Sequence, residues 1–208
     1  MAIKAILFDT EMVRAILEGR KSCTRRIVKP QQLIGMLPDK CKNGAPEKFL
    51  KEKKLMFKPY CDMTDIELIN TAYKAPYQPG DILYVRETWK KAPNGYYYYE
   101  DWQRNDIADV TKWKPSIRMP KEAARIWLKV TDVRVERLQE ISAESALAEG
   151  ADKYIHTNGG LDENMTITSF IGIWNSTIKK SDIDRYGWDA NPWVWVIEFE
   201  MCEKPEGV

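Results

Sequence analysis

The longest strand-like run in the chain, residues 125–138 (RIWLKVTDVRVERL), limits the folds open to it. Apolar and β-branched side chains alternate with polar ones along it, as in a strand with one covered face, and a bend is expected near Thr131 and Asp132. WVWVIEFEM (193–201) reads as a terminal strand. Shorter runs at 3–8 (IKAILF), 23–29 (CTRRIVK) and 82–89 (ILYVRETW) add three more, and Asn94-Gly95 is a hairpin turn returning through the tyrosines at 96–99. About six strands in mixed order, with short helices between them, indicate an α+β class with a mostly antiparallel, barrel-like sheet and short flanking helices.

The helices announce themselves by their ends. Asp9 or Thr10 caps a helix in which Met12, Val13, Ile16 and Leu17 recur at helical spacing, and Gly19 stops it. A short helix over 142–149 is stopped by Gly150, and a longer one over 168–178 is marked by Phe170, Ile171, Trp174 and Ile178. Pro79-Gly80-Asp81 is a turn leading into the strand at 82. Prolines at 38, 46, 59 and 76, with few patterned apolar residues, make 31–78 an insertion that holds one helix at 64–73. A second irregular stretch runs over about 100–120, and residues 1–208 are read as one domain.

A chain of 208 residues buries about 70% of its extended surface on folding, so neither a disulfide nor a metal is needed to support it. Hydrophobic residues at 44% and charged residues at 30% exclude bulk disorder. No apolar run reaches the roughly 20 residues of a bilayer-spanning helix, and the first residues meet an acid and a helical pattern too early for a secretory signal. A cytoplasmic protein with no membrane partner is expected. Cys23, Cys41, Cys61 and Cys202 are far apart, and His156 is the sole histidine, so no metal site and no cofactor are expected.

The net charge of +1 hides an asymmetry, since residues 1–60 carry 14 basic and 6 acidic side chains. Lys51, Lys53 and Lys54 read equally as a solvated face or as contacts to a phosphate backbone. Arg20, Lys21, Arg25 and Arg26 are crowded into seven residues at a helix-to-strand junction, where a turn can bring Lys21 to Thr24. A threonine hydroxyl becomes a nucleophile when a base takes its proton, and a lysine becomes that base when burial or neighbouring cations lower its pKa. The competing reading is a basic turn at a strand start.

Eight tryptophans and ten tyrosines offer faces on which bases can stack. Trp127, Trp174, Trp193 and Trp195 are assigned to the core, whereas Trp89, Trp113 and Trp188, at strand ends or in loops, are candidates for a ligand-pocket wall. Arg86 and Glu87, adjacent on a strand, must face opposite ways, and Arg86 is a candidate ligand contact.

These segments, in their order, carry a resemblance. GRKSCTRRIVKP, PGDILYVRETW, WKPSIRMP, the helix ending Ala148-Glu149-Gly150 and WDANPWVWVIEF resemble the ASCH family, above all its larger phage and prophage members. The likeness spans about 110 to 130 of the 208 residues, leaving 31–78 and 94–112 outside it. It implies a PUA-like β-barrel that recognises RNA or modified nucleosides. Some small members are amidohydrolases that remove the acyl group of N4-acetylcytidine with a lysine, a threonine and a glutamate. On this chain those fall on Lys21, Thr24 and Glu149, with Glu144 the alternative for the third. The resemblance implies that Thr24 attacks the acyl carbonyl, Lys21 takes its proton and Glu149 orients the lysine or handles the proton reaching the amine. Backbone amides near Lys21 or the Arg26 guanidinium can hold the oxyanion. Many members carry an acid in place of Thr24 and are assigned RNA binding without hydrolysis. The alternatives are therefore a non-catalytic RNA-binding module, with Arg20, Arg25 and Arg26 among its contacts, and a metal-independent nuclease using the same lysine. A modified nucleoside or single-stranded RNA is the expected partner, with DNA left open.

Overall fold

The computed structural model describes residues 1–29, 65–104, 112–155 and 159–207. Cys41, Cys61, His156 and the lysines at 51, 53 and 54 lie outside the described residues. Seven strands are present among those described: β1 (Ile3–Leu7), β2 (Cys23–Ile27), β3 (Ile82–Arg86), β4 (Trp89–Ala92), β5 (Gly95–Tyr98), β6 (Trp127–Arg137) and β7 (Trp193–Cys202). The helices are α1 (Thr10–Leu17), α2 (Asp65–Ala72), α3 (Tyr99–Arg104), α4 (Ala143–Ala148), α5 (Glu163–Thr177) and α6 (Ile183–Tyr186). None is long and apolar enough to cross a membrane. The class is mixed α+β, as the sequence indicates.

Five strands form one sheet in the order β1-β3-β6-β7-β2, and β4 pairs with β5 as a separate hairpin. All pairs in the sheet are antiparallel except β1 with β3, which run parallel. The register of β6 on β7 slips between Val130 and Asp132, a bulge at Thr131 where the sequence places a bend. The half of β6 before the bulge pairs with β3, while the half after it lies beside the stretch of β7 that pairs with β2. The bend thus curls the sheet until its two edge strands approach one another. The expected barrel is not closed: β1 and β2 are not paired among the described residues. The Arg26 side chain spans the seam instead, donating to the Leu7 carbonyl at 3.4 Å and the Arg25 carbonyl at 3.0 Å.

Two apolar clusters flank the sheet. One gathers Ile6, Phe8, Val13, Ile16, Leu83, Leu128, Trp195 and Phe199, and the other packs Cys23, Phe170, Trp174, Val194 and Val196 beneath α4 and α5. A third, around Trp89, Met119 and Trp127, lies under the hairpin. The expected strand 82–89 divides into β3 and β4 at Glu87. That carboxylate turns inward to meet both ends of the Arg125 guanidinium at 3.0 Å, and burial pushes it above the usual carboxylate range. Helix α5 begins at Glu163 rather than 168, because the Asp162 side chain caps it by accepting from the Met165 amide.

The turn before β3 is fastened by Asp81, which accepts from the Ala2 and Gln78 amides and from Lys4 at 2.6 Å. Burial works to raise its carboxyl, but these bonds outweigh that and hold it below its ordinary value. A depressed folded-state value contributes stability that is complete above the unfolded value of 3.8 and is lost as pH falls through the folded one. Asp81→Asn is expected to cost about 1–2 kcal/mol at pH 7. In urea titrations across pH, the gap from wild type should close only below about pH 4; a gap that persists at pH 2 would refute this account.

Candidate functional site

The residues Lys21, Thr24, Arg25, Arg26 and Glu149 line one cavity of about 650 Å³. It lies along the seam between β1 and β2, with Phe8 on one side and Phe170 and Ile173 of α5 on the other. Its volume falls in the range of small-molecule sites.

Local structure places each group. Helix α1 begins at Asp9, whose side chain accepts from the Met12 amide, and ends at Gly19, which takes the left-handed conformation at φ +71°. The amides of Arg20 and Lys21 both turn back to the Ala15 carbonyl, which drives the Lys21 side chain inward. Across the cavity, Ser142 caps α4 and Glu149 ends it, followed by Gly150 at φ +94°. A Cβ at Gly150 would lie 3.2 Å from that of Ala15, so this glycine lets the two helix ends meet. The Ser22 amide then bonds the Ala148 carbonyl, joining segments remote in sequence.

Lys21, only 4% exposed, donates to the Glu149 carbonyl at 2.7 Å and to Glu149 Oε2 at 2.8 Å. Arg25 Nη1 donates to Glu149 Oε1 at 3.3 Å, and Nη2 reaches Glu136 Oε2 at 3.2 Å. One buried carboxylate therefore serves two buried cations. Thr24 and Arg26 project from the other face of β2, where Arg26 Nη1 donates to Thr24 Oγ1 at 2.8 Å. Burial pushes the Arg26 guanidinium below its ordinary value, against the pull of Glu149. The Lys21 and Arg26 cations lie 5.5 and 5.6 Å from the centre of the Phe8 ring, and Arg25 lies 5.8 Å from that of Phe170. Lys21 and Thr24 share the cavity but are not hydrogen-bonded to each other.

Cys23 is a second potential nucleophile nearby. Burial, then the charge of Glu149, pushes its thiol up to about 12, so it stays protonated and inert. Thr24 Oγ1, which accepts from Arg26, borders the cavity, whereas Cys23 is not among its lining residues.

The other residues singled out from sequence lie elsewhere. Arg20 is exposed and paired with Glu18 at 2.7 Å. Arg86 donates to the Ile117 carbonyl at 3.3 Å and stands over Tyr84. Trp89 is buried in the hairpin cluster beneath Lys114, Trp113 meets Tyr99 edge-on at 5.3 Å, and Trp188 packs on Phe170 at 6.2 Å. None of these five lines the cavity. Trp127, Trp174, Trp193 and Trp195 are core residues, as expected. Glu144 is a first-turn residue of α4, whereas Glu149 at its end reaches the site. Phe8, Phe170 and Tyr77 complete the walls, and none of them is assigned to the site from sequence. Among the described residues no group of three or more His, Cys, Asp or Glu could hold a metal ion.

This is an α+β protein whose open sheet edge holds a buried cluster of lysine, threonine, arginine and glutamate. No family model matches the chain, and no curated protein matches it. Among solved structures it is similar to the crystal structure of an ASCH domain from Lactobacillus crispatus JV V101. The identity is 9%, the match covers 96% of this chain and 79% of that one, and the TM-score is 0.41. That structure is of the domain class the sequence resembles; at such a score no residue here takes its role from it.

Glu149→Gln would leave two buried cations without their shared anion, and is expected to cost about 3–5 kcal/mol in chemical denaturation. Adding Lys21→Met should recover part of that loss. A single-variant cost below about 1 kcal/mol would mean that water, not Glu149, neutralises the cluster.

Proposed function

We propose that the cavity binds the base of a modified nucleoside or of single-stranded RNA in an ASCH-like, PUA-type domain, and that it removes an acyl group from N4 of cytosine. The observation that carries this reading is the convergence of Lys21 and Thr24 with Glu149, 128 residues away, in one concave site.

The chemistry follows from the contacts. Arg26 donates to Thr24 Oγ1 and so favours the alkoxide over the hydroxyl. In the open cavity Lys21 and Glu149 rest as an ion pair. In the reaction the pair acts as one proton carrier, with a Lys21 proton moving to Glu149 along the hydrogen bond between them. The neutral amine then takes the Thr24 proton as Oγ1 attacks the acyl carbon, and Arg26 lies where it can stabilise the oxyanion. Collapse breaks the carbon–nitrogen bond, and the leaving N4 amine takes its proton from Lys21. Water then attacks the threonine ester; its proton passes through Lys21 to Thr24 Oγ1 as the carbon–oxygen bond breaks, and the Glu149 proton returns to Lys21. Cytidine and the free acid are the products.

A second reading, RNA binding without hydrolysis, is favoured by one feature. Lys21 is held by Glu149 and Thr24 by Arg26, with no bond between amine and hydroxyl.

Incubation of the protein with N4-acetylcytidine should release cytidine, followed by chromatography. Thr24→Val and Lys21→Met should each lower turnover by about a thousandfold or more. Intact substrate after prolonged incubation with wild type, alongside salt-sensitive retention of RNA, would leave the binding reading alone.

A further inference from the structure

The segment 73–78 lies in the insertion at 31–78, outside the resemblance, yet it builds part of the site. Tyr77 lines the cavity and donates its hydroxyl to the Ala5 carbonyl of β1 at 2.9 Å, tying the insertion to the edge strand. Arg26, Ile27 and Tyr77 also border a second cavity, of about 420 Å³, whose other walls include Lys29, Tyr73, Lys74 and Trp195. Tyr73, Lys74 and Trp195 in turn border a third, of about 630 Å³, which adds Asn70 and Gln78. Shared lining residues link the three spaces in series, from the cavity at Thr24 towards Asn70 of α2, and together they are called one groove.

The lining of that groove has one chemical character. Among the described residues no carboxylate borders the second or third space. Arg26, Lys29 and Lys74 supply positive charge, and both lysines are exposed. Tyr73, Tyr77 and Trp195 supply aromatic surface between them. Two exposed lysines with no carboxylate in these linings, beside half-buried Tyr77 and the edges of the core rings Tyr73 and Trp195, suit a sugar-phosphate backbone and its unstacked bases.

We propose that this groove carries the nucleotides flanking the base held in the cavity, so that the substrate is a single-stranded polynucleotide rather than a free nucleoside. The proposal rests on the base-binding reading of the cavity. It gives the insertion a role, extending a nucleoside-sized site into a track for a strand.

The test compares full-length protein binding to the nucleoside N4-acetylcytidine, by calorimetry, with binding to labelled five-nucleotide RNA and DNA strands with and without one N4-acetylcytidine, by anisotropy. The modified strand should bind about tenfold or more tighter than the nucleoside. Two phosphate contacts give a log–log salt slope of about −1.4, a loss of about sevenfold between 50 and 200 mM salt. Lys29→Ala with Lys74→Ala should flatten that slope and close the gap between strand and nucleoside, in protein whose circular dichroism and thermal melt match wild type. The relative affinity of the RNA and DNA strands decides the sugar. A nucleoside that binds as tightly as the strand, or a double variant with unchanged slope, overturns the groove and leaves the cavity reading standing. Strand binding that depends on both lysines but ignores the modified base keeps the groove and removes the cavity reading. No binding of any probe removes both.

Discussion

A single carboxylate, that of Glu149, is shared by two buried cations brought by a different part of the chain, and the rest of the site depends on it. Burying charge carries a desolvation penalty of several kcal/mol per ion, which a well-placed partner offsets only when the remaining donors are also satisfied. Lys21 uses the backbone carbonyl of Glu149 as well as its carboxylate, and Arg25 adds Glu136 to Glu149, although its buried Nε donor has no partner among the described residues. The end of α4 is therefore fixed against the start of β2, and the Ser22 to Ala148 bond holds the same junction through the main chain. Loss of this contact would free one wall of the cavity.

The open sheet gives that junction its use. A closed barrel would pair β1 with β2 and fill the space between them with ladder hydrogen bonds. Instead the bulge at Thr131 curls the sheet far enough for the edges to approach, and one guanidinium spans the remaining distance. Arg26 thereby combines two tasks: it satisfies carbonyls of both edge strands and presents a donor to the Thr24 hydroxyl. An exposed edge is a hazard for aggregation, and covering it with Arg26 and with the Tyr77 hydroxyl leaves fewer free backbone groups.

A second buried carboxylate shows the same economy with a different result. Glu87 is held by both ends of Arg125, which also takes both oxygens of Asp101 and stands 4.1 Å from the centre of the Tyr98 ring. This set anchors the hairpin and α3 to the strand core. Its cation is fully engaged and it borders no part of the cavity, so it reads as architecture, whereas the Glu149 set has cations in excess and opens onto a void.

Local pattern carried much of the fold. Alternation in 125–138 announced β6 and its bend, Asp9 or Thr10 was legible as a cap, and Gly19 and Gly150 as stops, because each depends on backbone needs met within a few residues. The spacing of Lys21 and Thr24 marked the right segment, and strand alternation separates Arg25 from Arg26. What the sequence could not decide is which charge meets which. Its place at a strand end suggested Trp89 as a wall of a ligand pocket, yet Lys114 lies over it at 4.9 Å and the ring is buried in the hairpin cluster. The amine of Lys21 goes to Glu149 rather than to Thr24 because a buried cation needs an anion, and the acid of its own turn, Glu18, is exposed and paired with Arg20. Caps, bends and faces are written in neighbouring residues; the pairing of buried charges is settled only when folding removes water from groups far apart along the chain.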